Sequence, residues 1–247
     1  MAPPSRVALL MSVRATDETS MRMLPEAMEA ARSQKCNPAF FIRFVECNES
    51  EFDHLREVGK ECCGTPVLEP QPVTLNNLWQ RAEADYLPRY AAIYNSDDAW
   101  LPGGLDRLVS ALDANPSASL AYGDFLMGCP GRKPFAGNVP KPGAQDVALV
   151  PVPCPFYLMR VSAVSRLITE DPSIGRPFDP RFPRTFDHAL AVRLATVGPF
   201  AFVPEPVAVY LNRGDSLSHA DPTGIQAERR DLQRWAAEYM RNRPRFA

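Results

Sequence analysis

Adjacent Asp97 and Asp98, in the stretch Asn95-Ser96-Asp97-Asp98, are the residues best suited to chemistry. Neighbouring carboxylates on a tight turn repel one another unless a cation neutralises them. Hard oxygen ligands of this kind suit Mg²⁺ or Mn²⁺, ions that also coordinate diphosphate oxygens. The same residues, taken alone, read more readily as a solvated turn with a cap for the helix opened by Pro102, because capping carboxylates are so common, so two readings stay open. Two further polar clusters share one feature with this stretch. Thr16-Asp17-Glu18 and the run from Glu46 to Glu51 each follow an apolar segment.

Those segments define the elements that must hold the clusters. Residues 6–13 form a continuous apolar run, as expected for a strand buried on both faces. Pro25 suits the first turn of a helix running to about Ser33. Residues 39–46 read as a second strand, 51–61 as a helix and 66–68 as a short third strand. A helix over 75–89 then leads to the strand Tyr90–Tyr94. After the acidic turn, Leu105, Leu108, Val109 and Leu112 mark one face of a helix that stops at Asn115-Pro116. Residues 119–125 form another strand. In this order the elements specify an α/β fold, mostly parallel, with helices on both faces of the sheet. In such sheets ligands bind at the carboxyl ends of the strands, where all three clusters fall.

The second half is proline-rich. Residues 128–143 show no periodicity and read as a loop, followed by strand-like pieces over 147–152 and 156–159. Thr185 is placed to cap a helix that ends at Gly198, a last strand covers 207–211, and a last helix spans 224–242. That final helix sets Ile225, Leu232, Trp235, Ala236, Tyr239 and Met240 on one face, against several arginines elsewhere. It suits packing on the domain, or alternatively peripheral contact with an anionic membrane surface.

Composition narrows the classes. A net charge of −2 gives no reason to expect nucleic acid as a partner. The six cysteines fit no zinc spacing, which implies inert thiols in a reducing, cytoplasmic setting. The first apolar run is too short to span a membrane.

Several segments together resemble the family 2 glycosyltransferases. Residues 90–105, YAAIYNSDDAWLPGGL, resemble that family's apolar strand, its D-x-D-D or N-x-D-D motif and its Pro-Leu helix start. Tyr122-Gly123-Asp124 resembles its "YGD" strand end, and residues 44–51 its "VVDDGSTD" stretch, with Glu46 in place of an Asp. Residues 178–182, FDPRF, and 186–194, FDHALAVRL, resemble its "FDE" turn and "EDYELWLRL" helix. Residues 207–210, VAVY, and 216–219, SLSH, resemble its closing strand and Ser/His loop. Two departures stand out: Asn95 replaces the first Asp, and residues 78–82, LWQRA, lack the Asn and Gly of the "ARN.G" segment.

The resemblance covers about residues 6–220 and implies a GT-A-type, three-layer α/β/α fold. A Rossmann-like nucleotide-binding half would span 1–125, an acceptor half 126–222, and an appended helix and tail 223–247. It implies nucleotide-sugar contacts at Thr16, Asp17, Glu46, Arg81, Asn95, Ser96 and Asp97. It places Mn²⁺ or Mg²⁺ at Asp97 and Asp98, joined by His219. It makes Asp187 the base of an inverting transfer from a nucleotide-diphosphate sugar, UDP-linked by family habit, to a glycan, lipid-linked or other hydroxyl acceptor. Arg160 and Arg193 would brace the acidic site. By residue type alone, Asp187 reads equally as a first-turn acid favoured by the helix dipole. A catalytically inactive binding module is the main alternative. A nucleotidyltransferase ranks lower, because the loop after the first strand has no glycine.

Overall fold

The computed structural model describes residues 7–14, 17–45, 71–128, 134–136, 156–213 and 221–243. The strands are β1 (Val7–Arg14), β2 (Ala39–Val45), β3 (Tyr90–Ile93), β4 (Ala99–Trp100), β5 (Leu120–Gly128), β6 (Phe135–Ala136), β7 (Tyr157–Arg160) and β8 (Phe200–Leu211). The helices are α1 (Glu18–Arg32), α2 (Gln71–Asp85), α3 (Gly104–Ala114), α4 (Val161–Glu170), α5 (Phe186–Leu194) and α6 (Pro222–Arg241). The strand order is β2-β1-β3-β7-β5-β8-β4, with β6 added to β5. Parallel pairing makes the long ladders, β1 with β2, β1 with β3 and β5 with β8. Antiparallel pairs, at β7, β4 and β6, are two or three residues long.

The sheet separates two apolar layers. Val7, Leu9, Met11 and Val13 face Leu24, Met28, Leu105, Leu108 and Leu112 of α1 and α3. Ala8 and Leu10 face the other way, into a core with Leu75, Leu78 and Trp79 of α2, Val164 and Leu167 of α4, and Leu190 and Leu194 of α5. Burial on both faces is why β1 runs apolar without a break from Val7 to Met11 rather than at every second position. The three-layer α/β/α arrangement expected from the sequence is the one observed.

Some elements differ from expectation. α1 starts at Glu18, so Pro25 lies inside the helix, not in its first turn. Pro25 is exposed, so its ring lies on the solvent side of the helix. α2 starts and ends four residues before the 75–89 expected. α4 was not foreseen: it begins directly after β7 with no turn residue between them. β8 starts seven residues before 207 and passes through Pro204 and Pro206. Prolines cannot donate to a ladder, and the β5–β8 register shifts there, between Gly123 and Phe125. Gly123 is required at this kink, because a Cβ would lie 2.6 Å from Val207 Cγ1. Past the kink, β8 bends over to pair with β4 and to meet α3, whose Gly104 sits against the Val207 carbonyl.

α6 packs Ile225, Leu232 and Ala236 inward, and Trp235 stacks on Phe182 with ring centroids 5.2 Å apart. Its expected apolar face is therefore turned to the domain. No described helix is long and apolar enough to cross a membrane. Cys36 is the one cysteine among the described residues. Burial and then the Asp106 carboxylate push its thiol up to about 12, which leaves it inert at neutral pH. The expected helix at 51–61, the strands at 66–68 and 147–152, and most of the 128–143 loop lie outside the described residues.

Candidate active site

Three chain segments meet at one point of the sheet's carboxyl edge. β1 delivers Asp17, β3 delivers Asn95–Asp98, and the bent end of β8 delivers Leu211 to Arg213. Asp17 caps α1: its Oδ1 accepts the Ser20 N–H at 3.0 Å and its Oδ2 accepts the Ser20 hydroxyl at 2.8 Å. The turn after β3 is anchored from below by Tyr94, whose N–H donates to the Leu10 carbonyl and whose hydroxyl donates to the Ala27 carbonyl at 2.6 Å.

The two adjacent aspartates then part company. Asp98 turns inward and is 3% exposed. Its Oδ1 accepts the Leu211 N–H at 3.1 Å, and its Oδ2 accepts from Asn95 Nδ2 at 3.1 Å. Burial, and next the charge of Asp97, raise its carboxyl well above the ordinary range, against the pull of those bonds and of Arg213. Asp97 turns toward Arg213 instead, whose Nε donates to its Oδ2 at 2.8 Å. This departs from the expectation that both carboxylates face a metal ion. The reason is tertiary: the β8 end needs an acceptor for Leu211 N–H, and Asp98 supplies it, while Arg213 draws Asp97 to itself.

Arg213 is the residue the sequence reading missed. It is 7% exposed, and its Nη1 and Nη2 donate to the two oxygens of Asp17 at 3.0 and 2.5 Å. Nη2 also lies 3.0 Å from Ser20 Oγ. Burial alone would raise the Asp17 carboxyl, but the Arg213 guanidinium and then the Ser20 donors outweigh it and hold Asp17 well below the usual range. A signal was present: Arg213 follows a strand end, the same rule that singled out the acidic clusters.

The other expected residues fall as follows. Asn95 and Ser96 are in the turn itself, with Ser96 buried and Asn95 bonded to Asp98. Arg81 is exposed near the end of α2 and pairs with Asp85 at 3.3 Å. α2 leads into the start of β3, so Arg81 lies toward the edge of the sheet opposite Asn95. Arg160 and Arg193 also lie elsewhere. Arg160 donates to the carbonyls of Leu112, Asn115 and Ala118, at the end of α3. Arg193 is fully buried, donating to the Arg176 and Pro177 carbonyls 3.8 Å from Asp171. Neither braces the acidic site; Arg213 does. Thr16, Glu46 and His219 lie outside the described residues.

Asp187 sits in the first turn of α5, half-buried, with Oδ1 accepting the His188 N–H at 2.7 Å. The Tyr157 hydroxyl donates to its backbone carbonyl at 3.0 Å. Tyr157 pairs with Tyr122 on β5, and β7 runs antiparallel to β3, so this contact is made near the carboxyl end of β3. Asp187 therefore belongs to the same edge of the sheet as Asn95–Asp98. Thr185, expected to cap α5, makes no side-chain cap bond. Its hydroxyl and N–H both donate to Glu228 of α6, at 2.9 and 2.8 Å, and the Arg184 N–H donates there at 2.8 Å. Glu228 supplies from another helix what a glutamate three residues after the cap supplies in a capping box.

Comparison with known proteins completes the picture. No family model and no curated protein matches the sequence. Solved structures do match. TarS from S. aureus, residues 1–349 in complex with UDP-GlcNAc, superposes with a TM-score of 0.66 at 12% identity, over 96% of this chain and 67% of that one. The fold is GT-A-like. Against the longer TarS structure the chain spans 40% of the length. The mannosyltransferase PcManGT from Pyrobaculum calidifontis, in complex with GDP-Man and Mn²⁺, superposes with a TM-score of 0.61 at 12% identity, over 100% of this chain and 68% of that one. At such identities the likeness speaks for the fold, and the site must speak for the chemistry.

Proposed function

We propose that the chain is a nucleotide-sugar-dependent glycosyltransferase of family 2 that transfers a sugar, with inversion, to a hydroxyl acceptor on a glycan or lipid-linked carrier. The observation that carries this is the meeting of Asp17, Asn95–Asp98 and Arg213 at the carboxyl edge of a GT-A-like sheet. UDP-GlcNAc and GDP-Man in the neighbours support a nucleotide-sugar donor of this class.

The charge at the edge supports a divalent cation. Three carboxyl groups, on Asp17, Asp97 and the inward-turned Asp98, surround the single guanidinium of Arg213. A diphosphate would add further negative charge there. Mg²⁺ commonly binds through one or two carboxylates plus substrate phosphates and water, so Asp97 fits as the protein ligand. Among the described residues no three His, Cys, Asp or Glu side chains stand in a metal-holding group, and His219 keeps its place as a candidate outside them. A divalent ion held there would stabilise the departing nucleotide diphosphate as a Lewis acid.

The chain's own residues do the rest. Asp17 and the Asn95-Ser96 turn position the donor. Asp187, oriented by the His188 N–H, takes the proton of the acceptor hydroxyl as the bond to the sugar forms. A thermal-shift panel of UDP and GDP, with and without Mn²⁺, tests the reading, because a ligand of the folded state raises apparent stability by mass action. A metal-dependent rise that is lost in Asp97→Ala is the expected result. A rise equal in parent and variant would remove Asp97 from the site.

A further inference from the structure

We propose that Arg213 is a built-in counter-cation: it holds Asp97 while the donor is absent, then exchanges that bond for the donor diphosphate while staying anchored on Asp17. The proposal rests on the function proposed above and adds a residue and an order of events to it.

The two carboxylates grip the guanidinium unequally. Asp17 is held by a two-point fork, Nη1 to Oδ1 and Nη2 to Oδ2, the geometry that binds arginine most firmly. Asp17 is fixed in turn by the N–H and hydroxyl of Ser20, and Nη2 also reaches Ser20 Oγ. Asp97 is reached by one bond only, Nε to Oδ2 at 2.8 Å. The Asp97 bond is the one that can be given up without moving the anchor. A planar guanidinium that turns off one carboxylate presents the same N–H edge to a phosphate oxygen, which it binds with equal geometry.

Competition follows from the charge. Asp97 serves either the guanidinium or a divalent ion well, not both at full strength. Without a nucleotide, Arg213 stays on Asp97 and opposes entry of the ion. With a nucleotide, the diphosphate takes the guanidinium and frees Asp97. Metal and nucleotide then bind as a cooperative pair, each raising affinity for the other through one residue.

The test measures Mn²⁺ binding by electron paramagnetic resonance on the full chain, alone and with UDP or GDP. In Arg213→Gln, Mn²⁺ alone should bind about tenfold tighter than in the parent, the order expected when one charge-assisted hydrogen bond no longer has to break. The nucleotide, with Mn²⁺ present, should bind about tenfold more weakly for loss of the same kind of bond. Asp17→Asn should move metal affinity the opposite way, because a guanidinium with a weaker anchor leans harder on Asp97. With saturating UDP or GDP that loss should vanish, because the diphosphate then holds the guanidinium, and this is the readout if Arg213→Gln does not fold. A plain structural brace predicts that Mn²⁺ alone binds Arg213→Gln no tighter than the parent, and that Asp17→Asn either changes nothing or loses Mn²⁺ affinity with and without nucleotide alike; either outcome overturns the proposal. If the parent itself binds neither UDP nor GDP with Mn²⁺, the functional reading fails first, and the proposal with it.

Discussion

Asp97 and Asp187 stand on the same edge of the sheet, and each is completed by a residue far off in sequence. On the proposed donor side, strand ends converge and an arginine just past β8 gathers the carboxylates. On the proposed acceptor side, a helix start presents one carboxylate, and a glutamate from α6 secures the helix behind it. The donor side is a balance of opposed charges, so substitutions there should change what binds. The acceptor side is a matter of aim, with Asp187 set two residues beyond the clasped Thr185. Substitutions there should change how fast bound molecules react.

The largest effect separates the two sides directly. Asp187→Asn keeps shape and removes the proposed base, so turnover should fall by about 10²–10⁴-fold. Affinity for a nucleotide diphosphate with Mn²⁺ should be unchanged, since its partners are on the strand ends. Steady-state rates and nucleotide titrations on one preparation give both numbers. A variant that keeps most of its turnover would reduce Asp187 to a first-turn acid.

Glu228 sharpens the acceptor half of the contrast. Glu228→Ala strips the acceptor from the Arg184 N–H, the Thr185 N–H and the Thr185 hydroxyl, which should cost about 1–3 kcal/mol by urea melts. If the clasp also aims Asp187, kcat should drop several-fold while nucleotide affinity stays level, and Glu228→Gln should recover most of both. Loss of stability with unchanged kcat per folded molecule would make the clasp purely structural.

How much of this could be read from the sequence follows from the range of the interactions. β1, β3 and α3 were legible because their burial pattern is written in consecutive residues. Asp17, Asn95, Asp97 and Asp187 were legible as positions, because strand ends and helix starts are local features. What a side chain faces is not local. Asp98 turns inward to answer Leu211 N–H, 113 residues away. Arg213 joins Asp17 from 196 residues away. Arg81 is set by the helix that carries it: α2 runs into the start of β3, and there Arg81 pairs with Asp85. Pro25 is the opposite case: the cap of its helix, Asp17, is itself a local signal that lies earlier and outweighs the proline.

A smaller effect tests the division of labour between Asp97 and Asp98. Asp98→Ala leaves the Leu211 N–H and the Asn95 amide without their acceptor, a loss of about 1–3 kcal/mol. Asp98→Asn should cost little, since the native carboxyl already leans to its neutral form. The new amide oxygen can accept from Leu211, and a flipped Asn95 amide can accept from the new Nδ2. Mn²⁺-supported nucleotide binding should survive Asp98→Asn intact. Collapse of that binding in a stable Asp98→Asn protein would return Asp98 to the metal.

The smallest effect concerns acid. Asp17 has its carboxyl depressed below the ordinary 3.8 by Arg213 and Ser20. A depressed carboxyl contributes stability that is fully present above the unfolded-state value and is lost as pH falls through it toward the folded-state value. Asp98, whose carboxyl is shifted upward, is present in both proteins, so its own pH dependence cancels from their difference. The stability gap between the parent and Asp17→Asn should therefore be widest above about pH 5 and close as the pH drops below the usual carboxylate range. Asp17 is 22% exposed, so water screens part of the pair and the gap should be modest. Added salt should narrow it at pH 7, but less than for an exposed pair, because Arg213 is buried. Urea melts of both proteins at three pH values, at low and high salt, measure the gap. The absence of a gap at every pH would mean that Asp17 acts through its capping of α1 alone, a role an asparagine also fills, and that the ion pair with Arg213 adds nothing to the fold.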